Sequence, residues 1–222
     1  MTGLLLLETV CKSFDGVTAI AEVSFSVAAG EIVAVTGTGK TTLLELIAGA
    51  LRPDQGSIRF GGAEIAGLAP ERIAALGIAR VFDPPRPFAA LSLEDNVVIG
   101  ALLREPDITA ARRRAREILE GLGLAAGRHR PASTLQPAGR KRLELARALA
   151  TRPRLLLLDE MLTGLPAEDA AALARTLGDL ARRHGLTLLL AEHDPAAAAL
   201  FAGRVLELDH GRLPAASGEE PA

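Results

Sequence analysis

Tryptophan and tyrosine are absent from the 222 residues, and six phenylalanines leave the aromatic content at 3%. Proteins that hold single-stranded nucleic acid stack its bases on aromatic rings, and this chain has few such platforms. An excess of one charge is missing too. The formal net charge is -2, which provides no field to draw in a phosphate backbone. Nucleic acid is therefore not expected as a partner. The single cysteine, Cys11, can form neither an internal disulfide nor a metal cluster, in keeping with a reducing compartment. Hydrophobic residues make up 49% of the chain. Even so, no run approaches the roughly 18 to 20 uninterrupted apolar residues of a membrane-spanning helix, so a soluble chain is expected. The early run Leu4 to Leu7 has no basic stretch before it and no small-residue cleavage site after it. The start from Met1 reads as a first strand, not an export signal.

What is present alternates between strand and helix. Leu4 to Val10 and Val23 to Val27 read as strands around the Asp15-Gly16 turn, suggesting an antiparallel sheet. Ala28-Ala29-Gly30 then leads into Glu31 to Val35, a short apolar run of the kind buried on both faces. Beyond Lys40, the residues Leu44, Ile47, Ala48 and Leu51 recur at helical spacing. Pro53 to Gly56 ends that helix, and Ser57 to Phe60 reads as a strand leading to the Gly61-Gly62 turn. From Leu91 to about Leu149 the pattern is helical, with Ile118, Leu119 and Leu122 facing inward and Arg112, Arg113 and Arg114 on a solvated face. Leu155 to Leu158 and Leu186 to Ala191 are two further buried strands flanking an alanine-rich helix. Arg204 to Leu208 is a last strand before a loose tail. This order predicts an α/β fold with a parallel sheet covered by helices on both faces.

Three constellations carry chemistry. Thr36-Gly37-Thr38-Gly39-Lys40-Thr41-Thr42 lies between a buried strand and an amphipathic helix, where a phosphate loop belongs. Glycines let backbone N–H groups turn toward phosphate oxygens, a lysine reaches the distal phosphates and a threonine ligates Mg²⁺. A helix that merely starts after a tight turn gives the same pattern, so that alternative stays open. The second is the run of four leucines ending in Asp159-Glu160. A carboxylate at the C-terminal edge of a parallel sheet can hold a nucleotide's Mg²⁺, and a neighbouring one can act on water. Acids that only end a strand in solvent are the plainer reading. The third is Leu188 to Asp194, which delivers His193 to the same edge, although an isolated histidine is more often structural.

Taken together, these segments resemble the ATPase subunits of ABC transporters over nearly the whole chain. The resemblance implies an ABC ATPase fold with a parallel-sheet core, an antiparallel β subdomain and an inserted helical subdomain at roughly residues 84–150, all within one domain over 1–222. It implies that Phe14 stacks on adenine and that Gly37, Gly39, Lys40, Thr41 and Thr42 bind phosphate. It places Mg²⁺ on Thr41, Asp159 and, from the Q-loop position, Asp83. Glu160 becomes the catalytic glutamate and His193 the switch histidine. Arg142 to Leu149 with Thr151 to Arg154 looks like the helix between signature and Walker B. That helix and the later histidine argue against a P-loop small-molecule kinase. Gly77 to Phe82 and Ala191 to Asp194 look most like importers of branched-chain and other hydrophobic amino acids. The implied cofactors are ATP and Mg²⁺. The implied partners are transmembrane permease subunits and a second ATP-binding subunit, at the cytoplasmic face of the inner membrane.

The sequence departs from the family pattern at the nucleotide contacts. Walker A is Gly-x-x-x-x-Gly-Lys, and counting from Gly37 leaves the loop three residues short, which removes roughly 10 Å of chain and several amide donors. Asp83 stands in place of the Q-loop glutamine. The signature is Leu135-Gln136-Pro137-Ala138-Gly139, without its serine and with a proline that cannot donate. Met161 replaces a proline after Glu160, and Gly164-Leu165-Pro166-Ala167 lacks an Asp or Asn after the leucine. Two expectations follow: a coupled ATPase subunit of an importer, or a non-hydrolysing subunit kept as an assembly partner.

Overall fold

The computed structural model describes residues 3–199 and 202–214. Met1-Thr2 and the tail beyond residue 214 lie outside them. Strand β1 (Leu5–Phe14) turns at Asp15-Gly16 into β2 (Val17–Val27), with which it pairs antiparallel. Both turn residues have positive φ, 48° and 83°, the conformation that lets a tight hairpin follow the strand twist. On its other side β1 pairs with β4 (Gln55–Phe60), which pairs in turn with β5 (Ala63–Glu64), giving the order β2-β1-β4-β5. Leu5, Leu7 and Val10 face inward from this sheet.

The second sheet has the order β6-β7-β8-β3-β9 and is parallel throughout. It comprises β3 (Ile32–Gly37), β6 (Ile78–Val81), β7 (Leu155–Asp159), β8 (Thr187–Ala191) and β9 (Arg204–Leu208). Every residue of β7 and β8 is buried, because helices cover one face while the first sheet and further helices cover the other. Period-two alternation sorts the leucines between the two cores. Leu156, Leu158, Leu188 and Leu190 pack on one side, and Leu155, Leu157 and Leu189 join Val33 and Val35 on the other.

Helix α1 (Lys40–Ile47) follows β3 directly. It ends a turn earlier than its periodicity suggests, because Gly49 adopts a left-handed φ of 74°; Leu51 lies beyond the helix yet still packs on the same core. Helix α2 (Pro70–Leu76) begins on a proline and is capped by Gly77 at φ 103°. The helical stretch resolves into α3 (Leu93–Ala101), α4 (Ile108–Gly121) and α5 (Pro137–Ala150), with short 3₁₀ turns before α5. Helix α6 (Ala167–His184) precedes β8, and α7 (Pro195–Ala199) precedes β9. After β9 the chain is not loose at first: Asp209 and Arg212 exchange backbone hydrogen bonds, and Gly211 accepts one from Ala21.

The arginines of α4 do more than meet water. Arg112 and Arg116 reach Glu94 at 3.2 and 3.1 Å, and Arg128 approaches its other oxygen at 3.7 Å. Glu94 is 1% exposed. Burial opposes its ionisation, but the bonds from Arg116 and Arg112 outweigh that and hold its carboxyl below the ordinary range. The stabilisation is complete above the unfolded-state pKa and disappears as pH falls through the lower folded-state value. Glu94→Gln is expected to cost about 2 kcal/mol at neutral pH, the worth of charge-assisted bonds. Urea unfolding of both proteins checks it: the gap should narrow as pH drops below the carboxylate range.

Candidate functional site

The C-terminal edge of the parallel sheet gathers the chemistry. Since β7 and β8 are neighbours with Asp159 opposite Ala191, the acids after β7 and the histidine after β8 emerge side by side. Glu160 has φ 45°, a conformation strained for a side chain with a Cβ. Two bonds hold it there: its N–H donates to the Ala191 carbonyl at 2.9 Å, and its own carbonyl accepts from Lys141 Nζ at 2.6 Å.

Lys40, the first residue of α1, has a buried side chain whose Nζ lies 3.3 Å from Glu160 Oε1 and 3.3 Å from His193 Nε2. His193 Nε2 is 3.0 Å from the same carboxylate oxygen, and the ring is 70% exposed. A carboxylate thus sits between a buried ammonium and an accessible imidazole, open to the solvent side. Thr41 Oγ1 donates to Asp159 Oδ1 at 3.4 Å. The second oxygen, Oδ2, accepts from Arg80 at 2.8 Å, and Arg80 also reaches Glu45 at 3.5 Å. Nearby Glu192 is 2% exposed, and burial pushes its carboxyl above the ordinary range, only partly offset by the Leu162 N–H that it accepts.

The residues fit part of what a nucleotide asks of them. Gly39 caps α1 at φ 100° with no side-chain bond across the helix start, so the first-turn amides of Lys40, Thr41 and Thr42 have no capping side chain and can face an anion. Two oxygen ligands of an octahedral Mg²⁺, each about 2.1 Å from the ion, lie about 3 Å apart. Thr41 Oγ1 and Asp159 Oδ1, at 3.4 Å, suit that geometry. Phe14 is 42% exposed at the end of β1, with Lys12 Nζ 5.4 Å from the ring centre, and offers a free aromatic face.

The loop itself does not wrap a phosphate. Gly37 is the last residue of β3, paired with Leu208 of β9, and a Cβ there would lie 2.0 Å from the Leu208 carbonyl oxygen. The next amide, on Thr38, donates to that same carbonyl at 3.1 Å. The shortened loop spends its donors on β9. Asp83 is not brought to Thr41 and Asp159; its carboxylate pairs with Lys141 Nζ at 3.2 Å, and Lys141 also holds the Thr163 carbonyl at 2.8 Å. Among the described residues no cluster of three or more His, Cys, Asp or Glu side chains could hold a metal ion. Pro137 stands at the first position of α5, where its missing N–H has no helical partner to lose. Sequence reasoning missed two residues of the site. The signal for Arg80 is a basic residue among Ile78, Ala79 and Val81, and for Lys141 a lysine in the second turn of α5, on the face that also carries the buried Leu145 and Ala148.

A phosphate-loop α/β cassette is the class that this fold and site define. The model for the ABC transporter family matches residues 20–163, and the chain belongs to that family. It is 39% identical to the sulfate/thiosulfate import ATP-binding protein CysA 2 of Chromobacterium violaceum over 94% of this chain and 57% of that protein. It is 30% identical to the branched-chain amino acid transport ATP-binding protein LivG of Salmonella typhimurium over 97% of this chain and 91% of that one. Relatives also include a methionine importer subunit, so the similarity is to importer ATP-binding proteins broadly and does not single out the branched-chain type. The chain spans under two thirds of the length of the sulfate-import relatives, 57% and 61%. Among solved structures, an ATP-binding cassette of an ABC transporter in its ADP conformation superposes with a TM-score of 0.87 at 26% identity, covering 97% of this chain and 91% of that one. No helix among the described residues is long and apolar enough to cross a membrane.

Proposed function

We propose that this chain is the ATP-binding subunit of an ABC importer, working in a pair of such subunits beneath a transmembrane permease at the cytoplasmic face of the inner membrane. The observation that carries this reading is the meeting of Lys40, Thr41, Asp159, Glu160 and His193 at one sheet edge. The amides at the start of α1 and the Lys40 ammonium bind phosphate. Thr41 and Asp159 hold Mg²⁺, which when bound neutralises phosphate charge. Glu160 accepts a proton from water, and His193, exposed beside it, donates to charge that develops outside the carboxylate. The segment from Asp83 to Asn96 seats the permease. Phe88 is 45% exposed there under the Arg147 guanidinium, on a cleft of about 500 Å³ shared with Phe82 and Ile99. For the solute, an amino acid is favoured by Gly77 to Phe82 and Ala191 to Asp194, and by the near full-length match to LivG.

The purified chain is expected to bind labelled ATP saturably in the presence of Mg²⁺, and Lys40→Ala to abolish that binding. No saturation at millimolar nucleotide would sink the reading. A second reading, a non-hydrolysing partner of a competent cassette, is favoured by the Thr38 bond to Leu208 and the packing of Gly37. Binding without turnover, persisting when the chain is paired with a permease and an active cassette, would select it.

A further inference from the structure

At the opposite end of the parallel sheet, where β7 and β8 begin, lies a cleft of about 480 Å³ that the nucleotide chemistry does not use. Its walls come from α4, the end of α5 with its following turn, and the end of α6. The floor is apolar, built from Ile118, Leu122, Leu149 and Leu186, with Leu180 at its side. The rim is basic. Arg114, Arg152 and Arg183 line it against a single carboxylate, that of Glu117.

The arginines are incompletely satisfied. Arg114 meets Glu117 at 3.6 Å, longer than a hydrogen bond, and its side chain donates no hydrogen bond among the described residues. Arg152 is paired outward with Glu105, and Arg183 has no ion pair among the described residues. A guanidinium without a close acceptor is available to bond an incoming carboxylate oxygen. A volume in the range of small-molecule pockets, an apolar floor and a guanidinium rim call for one kind of occupant. We infer that this cleft binds an amphiphilic monocarboxylate, its alkyl tail on the leucines and its carboxylate gripped by the Arg114 and Arg183 guanidinium groups. Planar guanidinium groups match a planar carboxylate with paired hydrogen bonds, and the tail gains from leaving water. Since the cleft joins α4 and α5 to α6, an occupant bears on how the helical segment sits against the sheet, without competing at the Lys40 edge.

Gly121 allows a direct test. It lines the cleft on α4, and a Cβ added there meets nothing within 4 Å. Gly121→Leu therefore starts into the cleft from a position with open space around its Cβ, and leucine suits a helix better than glycine. Calorimetric titration of the whole chain with decanoate, below its micelle concentration, is expected to show one saturable site. Gly121→Leu is expected to remove it, and Arg183→Glu, a change at an exposed residue, to weaken it by about tenfold or more. Decanol and decyltrimethylammonium should bind far more weakly. Thermal melting of each variant confirms that it folds, and if Gly121→Leu does not, Arg183→Glu decides alone. Absence of a saturable site overturns the inference, as does Arg183→Glu binding decanoate like the parent, or the cationic amphiphile binding as tightly as the acid. Nucleotide binding is untouched by any of these outcomes.

Discussion

Inserting three residues between Gly37 and Thr38, to restore the spacing of a full phosphate loop, is expected to tighten ATP binding by about a hundredfold, or about 2.7 kcal/mol. The loop now ends in strand pairing: Gly37 lies opposite Leu208, and the Thr38 amide is committed to the Leu208 carbonyl. Only the amides at the start of α1 remain for an anion. Each backbone amide turned onto a phosphate oxygen is worth about 1.5 to 3 kcal/mol, as for other bonds to charged groups. Four amides, those of the three inserted residues and of Thr38, can then turn onto phosphate oxygens and supply about 6 to 12 kcal/mol. Ordering the three inserted residues costs about 3 to 6 kcal/mol, and releasing Thr38 from Leu208 about 1 kcal/mol more, which leaves a gain of the expected size. Filter binding of labelled ATP on the parent and the insertion variant measures the difference. If turnover also rises, the loop alone limits catalysis. If affinity does not change, the limit lies with Arg80 at Asp159 or with the altered signature.

Much of this architecture could be read from the residues, for physical reasons that differ by segment. Uninterrupted runs such as Leu155 to Leu158 identify strands buried on both faces, and the structure leaves all four of these leucines at 0% exposure. Asp15-Gly16 marked a tight turn because both residues tolerate positive φ. Helix α2 and strand β6 escape the sequence pattern, although Pro70 at the start and Gly77 at the end of α2 are signals of that helix. Seven residues are too few to give a clear periodicity. The arginines of α4 read as solvated because periodicity says nothing about a buried acid on another helix, and Glu94 is that acid. At the site, Lys40, Asp159, Glu160 and His193 were legible, since motif order places them on neighbouring strand ends. The fate of Asp83 was not. Which cation it meets is a long-range matter, decided by Lys141 reaching across from α5.

Replacing Arg80 with methionine is expected to cost about 4 kcal/mol of stability, because it leaves the buried Asp159 carboxylate without its cation. Asp159 is 4% exposed, and the Arg80 guanidinium, also buried, holds its Oδ2 at 2.8 Å while Phe82 covers the other side of that guanidinium at 5.0 Å. Methionine keeps most of the side chain's packing, so the loss reports on the charge. Adding Asp159→Asn to Arg80→Met should recover most of it, since the pair then leaves together and no lone charge stays buried. The same pairing governs the metal. With Arg80 present, half of the Asp159 carboxylate is already neutralised, and only Oδ1 faces Thr41. In Arg80→Met both oxygens are free for a hard cation. Mg²⁺ at ten times its dissociation constant is then expected to return about 1.4 kcal/mol, with a smaller effect on the parent chain. Urea titrations of the parent and both variants, with and without Mg²⁺, decide the matter. Equal Mg²⁺ effects in the parent and Arg80→Met would show that Arg80 and the cation do not compete for Asp159.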